Sequence, residues 1–433
     1  MRTSVTRDDI RVEAIRRSLD ASDLDALVCA LPNNVLLLSG YWPAVGTALA
    51  VATREGRALL IAPDDEMDVA ERALADEVRK YRPQASGVLS GFPPGSPDDV
   101  RQADDALRLS LREAAVDLAI ERGRIGYERG PSFVPASRAT MRLYGASIID
   151  LLRHSLPAAR LRPADELLAK LRAMPTPAEA ARIRLACRIA EQAFLEGARQ
   201  LREGMWECEV AAVFRAPLML VDSQSGVRRA DGFVSCMSGV NSARGYGGGA
   251  HSRDRKLAPG DFVMVHCDSH ADGYWTTITR TFVMGEAGPR KLEMYGAVHA
   301  ASHAAIGAIR PGVMAADVDA AAREALVSRG FGDHFKHATG HAVGFAAMDY
   351  DTPPRLRPMS DDRLETGMIF NIEPAIYVEG FGGLRHCDTA LVTETGVEIL
   401  TPFQSSIEHL VVRSSVSEES LGAATPTRPA AMV

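Results

Sequence analysis

Residues 265–281 read VHCDSHADGYWTTITRT, and the reading of this stretch decides the fold. The run divides at Gly273-Tyr274 into the ends of two strands, expected over residues 261–269 and 275–284, so it forms a hairpin. Side chains alternate between the two faces of a strand, so His266, Asp268 and His270 share one parity. His266 is open to two readings, a hydrogen-bonded core histidine or a site residue. Asp268 and His270 either face a cavity with it or run past the strand end into solvent, and solvent is the expectation. Thr277 and Thr279 read as ordinary strand residues whose hydroxyls could bond a substrate.

The chain has 433 residues, which predicts two domains. Its hydrophobic share of 46% is enough to build a core in each. A formal net charge of −7 argues against nucleic-acid or anionic-membrane partners, which call for a basic patch. Residues 1–19 alternate charged and apolar side chains and lack the apolar core of a signal peptide. No stretch approaches the roughly 20 apolar residues of a membrane span. The expectation is a cytoplasmic protein with a small-molecule substrate. Cys29, Cys187, Cys208, Cys236, Cys267 and Cys387 are scattered without a CxxC pair and read as free thiols.

Periodicity divides the chain into an N-terminal α/β domain (residues 1–160), a second domain (161–412) and a Ser/Ala/Pro-rich disordered tail (413–433). A first helix is expected over residues 8–19 and strands over 25–30, 35–38, 47–52 and 58–62. A helical region from Ala164 breaks at Pro175 and Pro177, resumes, and is stopped by Gly204. Further helices are expected over 292–309 and 315–328. Further strands are expected over 232–237, 337–345, 368–377 and 384–392. The glycines of residues 244–249 do not form a phosphate-binding loop, since no Lys-Ser/Thr or helix start follows in register. They read as a mobile gate or a plain solvent loop.

Four motifs follow one another in order: KLAPGDFVMVHCDSHADGYWTTITRTFVMG (256–285), HATGHAVGF (337–345), LETGMIFNIEPAIY (364–377) and GFGGLRHCDTALVTETG (380–396). Together they resemble the pita-bread hydrolases of peptidase family M24: aminopeptidase P, prolidase, methionine aminopeptidase and creatinase. LPNNVLLLSGYW (31–42) is similar to the entry of the creatinase/prolidase N-terminal domain. The resemblance spans residues 11–403. It implies a two-domain α/β fold, with a creatinase-like N-terminal domain and a pita-bread C-terminal domain, and a homodimer.

In the metallopeptidases of that family, Asp, Asp, His, Glu and Glu hold two divalent metals. The matching positions here are His266, Thr277, His341, Glu373 and Cys387, of which only His341 and Glu373 agree. Losing three carboxylates leaves too little negative charge for two dications. A substrate-contacting His of the peptidases is replaced by Met348. Two readings of the altered site follow. In the first, the chain hydrolyses a C–N bond in a small amide or amidine without a cofactor, as creatinase does. Gly249-Ala250-His251 resembles the segment carrying creatinase's catalytic His, with spacing to Gly260 about two residues shorter. His251, His341 and Glu373 would be catalytic. His266, Thr277, His337, Met348 and Cys387 would line the substrate. In the second, His266, His341, Glu373 and Cys387 hold a single Zn or Fe ion, and the chain is a metal-dependent Xaa-Pro peptidase. A non-catalytic binding protein on the same scaffold is the remaining alternative. Arg385 and Asp388 match framework positions and are expected to pair. His386 is expected to point away from Cys387.

Overall fold

The computed structural model describes residues 7–43, 48–82, 97–129, 148–220 and 226–413. The tail expected from residue 413 lies outside them from Ser414 onward. The N-terminal part runs α1 (Asp9–Ala21), β1 (Ala26–Cys29), α2 (Pro32–Ser39), β2 (Leu49–Thr53), β3 (Ala58–Pro63), α3 (Met67–Ala70), β4 (Glu77–Tyr81), α4 (Pro97–Asp117), β5 (Arg124–Tyr127), α5 (Ile148–Ser155) and β6 (Arg160–Pro163). Its six strands form one mixed sheet, ordered β4-β3-β2-β1-β5-β6. Residues 35–38, expected as a strand, belong to helix α2. Pro32 supplies a helical φ at its first turn, and Gly40 ends it in the left-handed region at φ 66°. The run Val35–Leu38 is buried whatever its conformation, so hydrophobicity could not tell strand from helix.

Next come α6 (Asp165–Ala173), α7 (Pro177–Gln200) and α8 (Glu207–Met219). Pro177 starts α7 rather than breaking it. Thr176 caps the helix, accepting from the Glu179 amide while the Glu179 carboxylate accepts from the Thr176 amide. The C-terminal part then runs β7 (Ala230–Ser238), β8 (Phe262–Ala271), β9 (Tyr274–Met284), α9 (Pro289–Ala308), α10 (Ala315–Val327), β10 (Ile369–Ile372), β11 (Ala375–Val378), β12 (Gly382–Arg385), β13 (Asp388–Val392), β14 (Val397–Ile399), α11 (Ile407–Leu410) and β15 (Val411–Val412). A four-stranded sheet β15-β9-β8-β7 is joined by the β10-β13-β14 and β11-β12 sheets, all sharing one core with α7 to α10. Among the described residues, no helix is long and apolar enough to cross a membrane.

Three of the expected strands are broken. Residues 337–345 make isolated bridges from Ala342 to Phe370 and to Asp349, and Gly340 pairs with Leu356. The segment is too irregular for a ladder, because the His341 amide donates to the Asn371 side chain instead of a backbone carbonyl. The run over 368–377 is interrupted at Pro374, which has no amide to donate, and the run over 384–392 at His386-Cys387. At that second break Cys387 bridges to Thr279 of β9 instead.

The β8–β9 hairpin closes through two residues, Asp272 (φ 48°) and Gly273 (φ 85°), the positive pair a type I′ turn requires. The Asp-Gly dipeptide is the sequence signal for it. A Cβ on Gly273 would collide with the Trp42 ring of the N-terminal domain. The two domains also share a core of Leu36, Leu38, Leu168, Ile183, Tyr274 and Phe345.

Arg280 of β9 is the most fully committed buried cation among the described residues. Its Nη2 donates to Asp388 Oδ1 at 2.7 Å and to the Phe403 carbonyl at 2.7 Å. Its Nη1 donates to the Cys387 carbonyl at 2.8 Å and its Nε to the Gln404 carbonyl at 2.9 Å. Burial alone would raise the Asp388 carboxyl, but Arg280 and His386 outweigh it and hold it well below the usual range. Arg280→Met should therefore cost about 3 kcal/mol or more, because it strands the buried Asp388 charge. At about 2–4 °C per kcal/mol for a domain of this size, thermal melts should show a fall of roughly 6–12 °C. The depressed carboxyl makes its contribution above the unfolded value near 4 and loses it as pH falls further. Wild-type melting temperature should thus drop below about pH 4, and the variant should show a shallower acid slope.

Candidate functional site

On β8, His266, Asp268 and His270 lie on one face, opposite Thr279, Thr277 and Trp275 of β9 and Ser235, Phe233 and Asp231 of β7. The other face carries Val263, Val265 and Cys267, with Ser269 opposite Thr276. It packs on α7, where the Cys187 thiol meets Thr276 Oγ1 at 3.1 Å. His270 lies on the strand, not beyond it in solvent, and Asp268 is buried. β8 runs to Ala271, two residues beyond its expected end, which keeps His270 within the sheet. Burial pushes His270 down to about 4, so it is neutral at physiological pH. Its ring stands 4.7 Å from Trp275 and 5.8 Å from Trp42.

His266 is 5% exposed and engaged on both nitrogens. Nδ1 is 2.8 Å from Thr279 Oγ1, and Nε2 is 3.2 Å from Asp268 Oδ2. Cys387 reaches this polar face through its backbone bridge to Thr279, and its sulfur lies 4.0 Å from Thr277 Oγ1. Burial, then the Glu373 charge, push the Cys387 thiol well above its ordinary value. A protonated buried thiol is a poor nucleophile.

Asn371 of β10 organises the opposite wall. Its Oδ1 accepts from the His341 amide at 2.7 Å, and its Nδ2 lies 3.1 Å from His341 Nε2. His341 Nδ1 faces the Ala342 carbonyl at 3.0 Å, which can only accept. His341 therefore carries its proton on Nδ1 and presents the Nε2 lone pair to Asn371. Glu373 follows β10, with Oε1 3.7 Å from His341 Nε2 and Oε2 3.6 Å from Arg385 Nη1. Burial would raise its carboxyl, but His337, Arg385, His341 and His266 together hold it below the usual value. His337 donates from Nδ1 to the Ala338 carbonyl at 2.8 Å and accepts at Nε2 from the Tyr377 hydroxyl at 3.0 Å. Burial lowers His337 and raises Tyr377, so both stay neutral and that bond persists.

The structure thus gathers His266, Thr277, His337, His341, Glu373 and Cys387. Met348 sits at the edge, half-buried, with the Tyr350 hydroxyl 3.5 Å from its sulfur. The Tyr350 ring stands edge-on to His341 at 5.0 Å. Arg172 of α6 fixes this loop, donating to Asp349 Oδ2 at 2.7 Å and to Asn34 Oδ1 of α2 at 2.7 Å. His251 is exposed, on a segment tied to β7 and α8 by Ser252 Oγ accepting from the Cys236 amide and by the Arg253 amide donating to Glu207. The expected Arg385–Asp388 pair does not form. Arg385 faces Glu373, while Asp388 takes Arg280 and His386. Sequence reasoning missed Asn371 and Tyr350; the one available signal was a polar residue inside the apolar run MIFNI. A cavity of about 600 Å³ opens beside Tyr377, lined also by Arg244, Tyr246, His334 and Lys336. The turn Gly239–Arg244 forms part of its wall, and a second short 3-10 turn, Gly247–Gly249, follows.

Whether these donors suit a metal is a question of convergence. Among the described residues, no three His, Cys, Asp or Glu side chains converge on a point that could hold an ion. His341 Nε2 is engaged by Asn371, His266 by Thr279 and Asp268, and Glu373 faces a guanidinium. The arrangement fits neither two ions nor one.

Residues 11–174 match the creatinase/prolidase N-terminal domain, and residues 181–394 match metallopeptidase family M24. The chain is 27% identical over 391 residues to an Xaa-Pro dipeptidase of Pyrococcus furiosus, covering 90% of this chain and 97% of that protein. A putative dipeptidase of Bacillus subtilis is 32% identical over 256 residues, covering 59% of this chain and 68% of that protein. The crystal structure of the prolidase from Pyrococcus horikoshii superposes with a TM-score of 0.70 at 26% identity, over 92% of this chain and 99% of that one. These relatives overturn the expectation of a creatinase-like enzyme for small amides, since the full-length likeness is to peptidases named for Xaa-Pro substrates. They lend no support to the expectation that no cofactor is needed, because the matching family is one of metallopeptidases. Fold, domain pair and motif order agree: the chain belongs to metallopeptidase family M24, a family of hydrolases of C–N bonds.

Proposed function

We propose that this protein cleaves the C–N bond of short Xaa-Pro-type peptides. The observation that carries this reading is the likeness to Xaa-Pro dipeptidases across both domains, with His341 and Glu373 kept at their inherited positions and facing each other at 3.7 Å. The side chains suit a peptide in three ways. Glu373 is ionised and accepts a hydrogen bond from water or from a substrate ammonium. His341 turns Nδ1 to the Ala342 carbonyl and Nε2 toward the Glu373 carboxylate at 3.7 Å, the placement a general base beside a carboxylate needs. Trp42, Trp275 and His270 pack together at the outer end of the polar face and screen it from water. No step is assigned to a metal, because the donors do not converge on one.

Incubation with glycyl-L-proline and L-alanyl-L-proline tests the reading, with released proline measured by chromatography. The assay is run as purified, after chelator treatment, and with Mn²⁺, Co²⁺ or Zn²⁺ added. Proline release is expected, and Glu373→Gln should lower kcat/KM by about 100-fold or more, the usual scale for removing an acid–base partner. No release under any of these conditions would overturn the proposal. Dependence on an added metal would show that the donors regroup around an ion. Equal rates after chelation would leave the chemistry to the side chains.

A further inference from the structure

Glu128 stands directly after β5 in the N-terminal domain, and its side chain is buried. Oε1 accepts from the Ala30 amide at 2.6 Å and from the Leu31 amide at 3.1 Å, at the entry to α2. Oε2 accepts from Asn34 Nδ2 at 3.3 Å. The Cys29 thiol is a further donor. Burial raises the Glu128 carboxyl above its usual value, and these donors work against that rise. A neutral acceptor could meet the same two backbone amides at a lower desolvation cost, so the charge itself calls for an explanation.

The explanation lies in the other end of the Asn34 side chain. Its Oδ1 accepts from Arg172 Nη1 at 2.7 Å. A carboxylate only accepts and a guanidinium only donates, so a single orientation of the Asn34 amide satisfies both neighbours. Arg172 then donates from Nε to Asp349 Oδ2 at 2.7 Å. Asp349 Oδ1 accepts from the Thr352 amide at 3.1 Å, and the Asp349 amide donates to the Ala342 carbonyl at 3.2 Å. That carbonyl is the one 3.0 Å from His341 Nδ1. The charge on Glu128 sets the Asn34 amide, the amide seats Arg172, and Arg172 seats the loop that meets His341.

We propose that Glu128 is a positioning residue for the catalytic site: through Asn34, Arg172 and Asp349 it holds the Ala342 carbonyl against His341 Nδ1. The part that concerns turnover rests on the reading that His341 acts on a peptide. The relay makes a specific demand on polarity. In Glu128→Gln the carbonyl must take the place of Oε1, where two backbone amides point, and the new NH2 then faces the Asn34 NH2. Asn34 can relieve this only by turning over, which sets its NH2 against Arg172. Asn34→Asp alone opposes two carboxylates. The double variant Glu128→Gln with Asn34→Asp restores every donor to an acceptor and keeps the net charge.

The test is a double-mutant cycle on the full-length protein at pH 7, well below the melting temperature. Hydrogen–deuterium exchange of residues 342–352 reads the loop without any substrate. Each single change should speed that exchange about tenfold, the scale of losing a hydrogen bond to a charged group, and the double variant should return it toward wild type. On glycyl-L-proline the single changes should lower kcat/KM by about tenfold and the double variant should recover most of it. Asn34→Ala, which cuts the relay without adding a charge, should match the single changes and serves if Asn34→Asp fails to fold. Exchange that speeds only around β1 and β5, with residues 342–352 as in wild type, would show a local structural role and overturn the proposal. A double variant whose loop exchanges as fast as in the single variants would overturn it as well. Wild-type protein that cleaves no Xaa-Pro peptide would sink the proposed function alone, and the exchange cycle would still decide the relay.

Discussion

A charge buried in the C-terminal domain is costly unless it meets its opposite inside the protein, and that constraint organises the rest. Arg280 and Asp388 satisfy it at the back of the sheet, where five backbone carbonyls complete the guanidinium. Glu373 satisfies it at the front, among Arg385 and three histidines. The two clusters lie on either side of the break at residues 386–387, so one kink in the chain assigns Asp388 to structure and Arg385 to the site.

The consequence for chemistry is that the family scaffold survives while its electrostatic content has changed. In a two-metal site the cations are ligands from solution and the protein supplies anions. Here the protein supplies both signs. Glu373 is held charged beside Arg385 and the histidines despite its burial, and Cys387 is kept protonated by burial and then by the same carboxylate. His337, whose burial lowers it, remains available as a neutral donor and acceptor at physiological pH. Such a site is pre-organised for a substrate that brings its own charges.

The fold was legible in the sequence wherever period and punctuation agreed. The β8–β9 hairpin, α7, α9 and α10 follow from alternation or helical spacing, and the four motifs fixed their order. Legibility failed where one short apolar run suited two conformations, as at Val35–Leu38, and where side chains replaced backbone pairing, as at His341 and Asn371. The site was legible as a set of positions, because His266, Thr277, His341, Glu373 and Cys387 do meet. Its wiring was not. Asn371 announces itself only as one polar residue in an apolar strand, and Tyr350 arrives on a loop whose seat is Arg172, nearly two hundred residues earlier in the chain. Arg385 was assigned the wrong partner, because matching framework positions of a motif does not say which of its side chains meet.

The two-residue turn at Asp272-Gly273 carries a consequence of its own. It fixes the register of β8 against β9, and a slip of one residue would exchange their two faces. Histidine and aspartate would then press into the helices, and Val265 and Cys267 would line the site. Insertions and deletions in this hairpin are therefore barred, while single replacements on the polar face leave the packing of the other face untouched. The scaffold can be rewired one letter at a time without ever being unfolded, which is a physical route by which an inherited catalytic frame comes to hold a different set of groups.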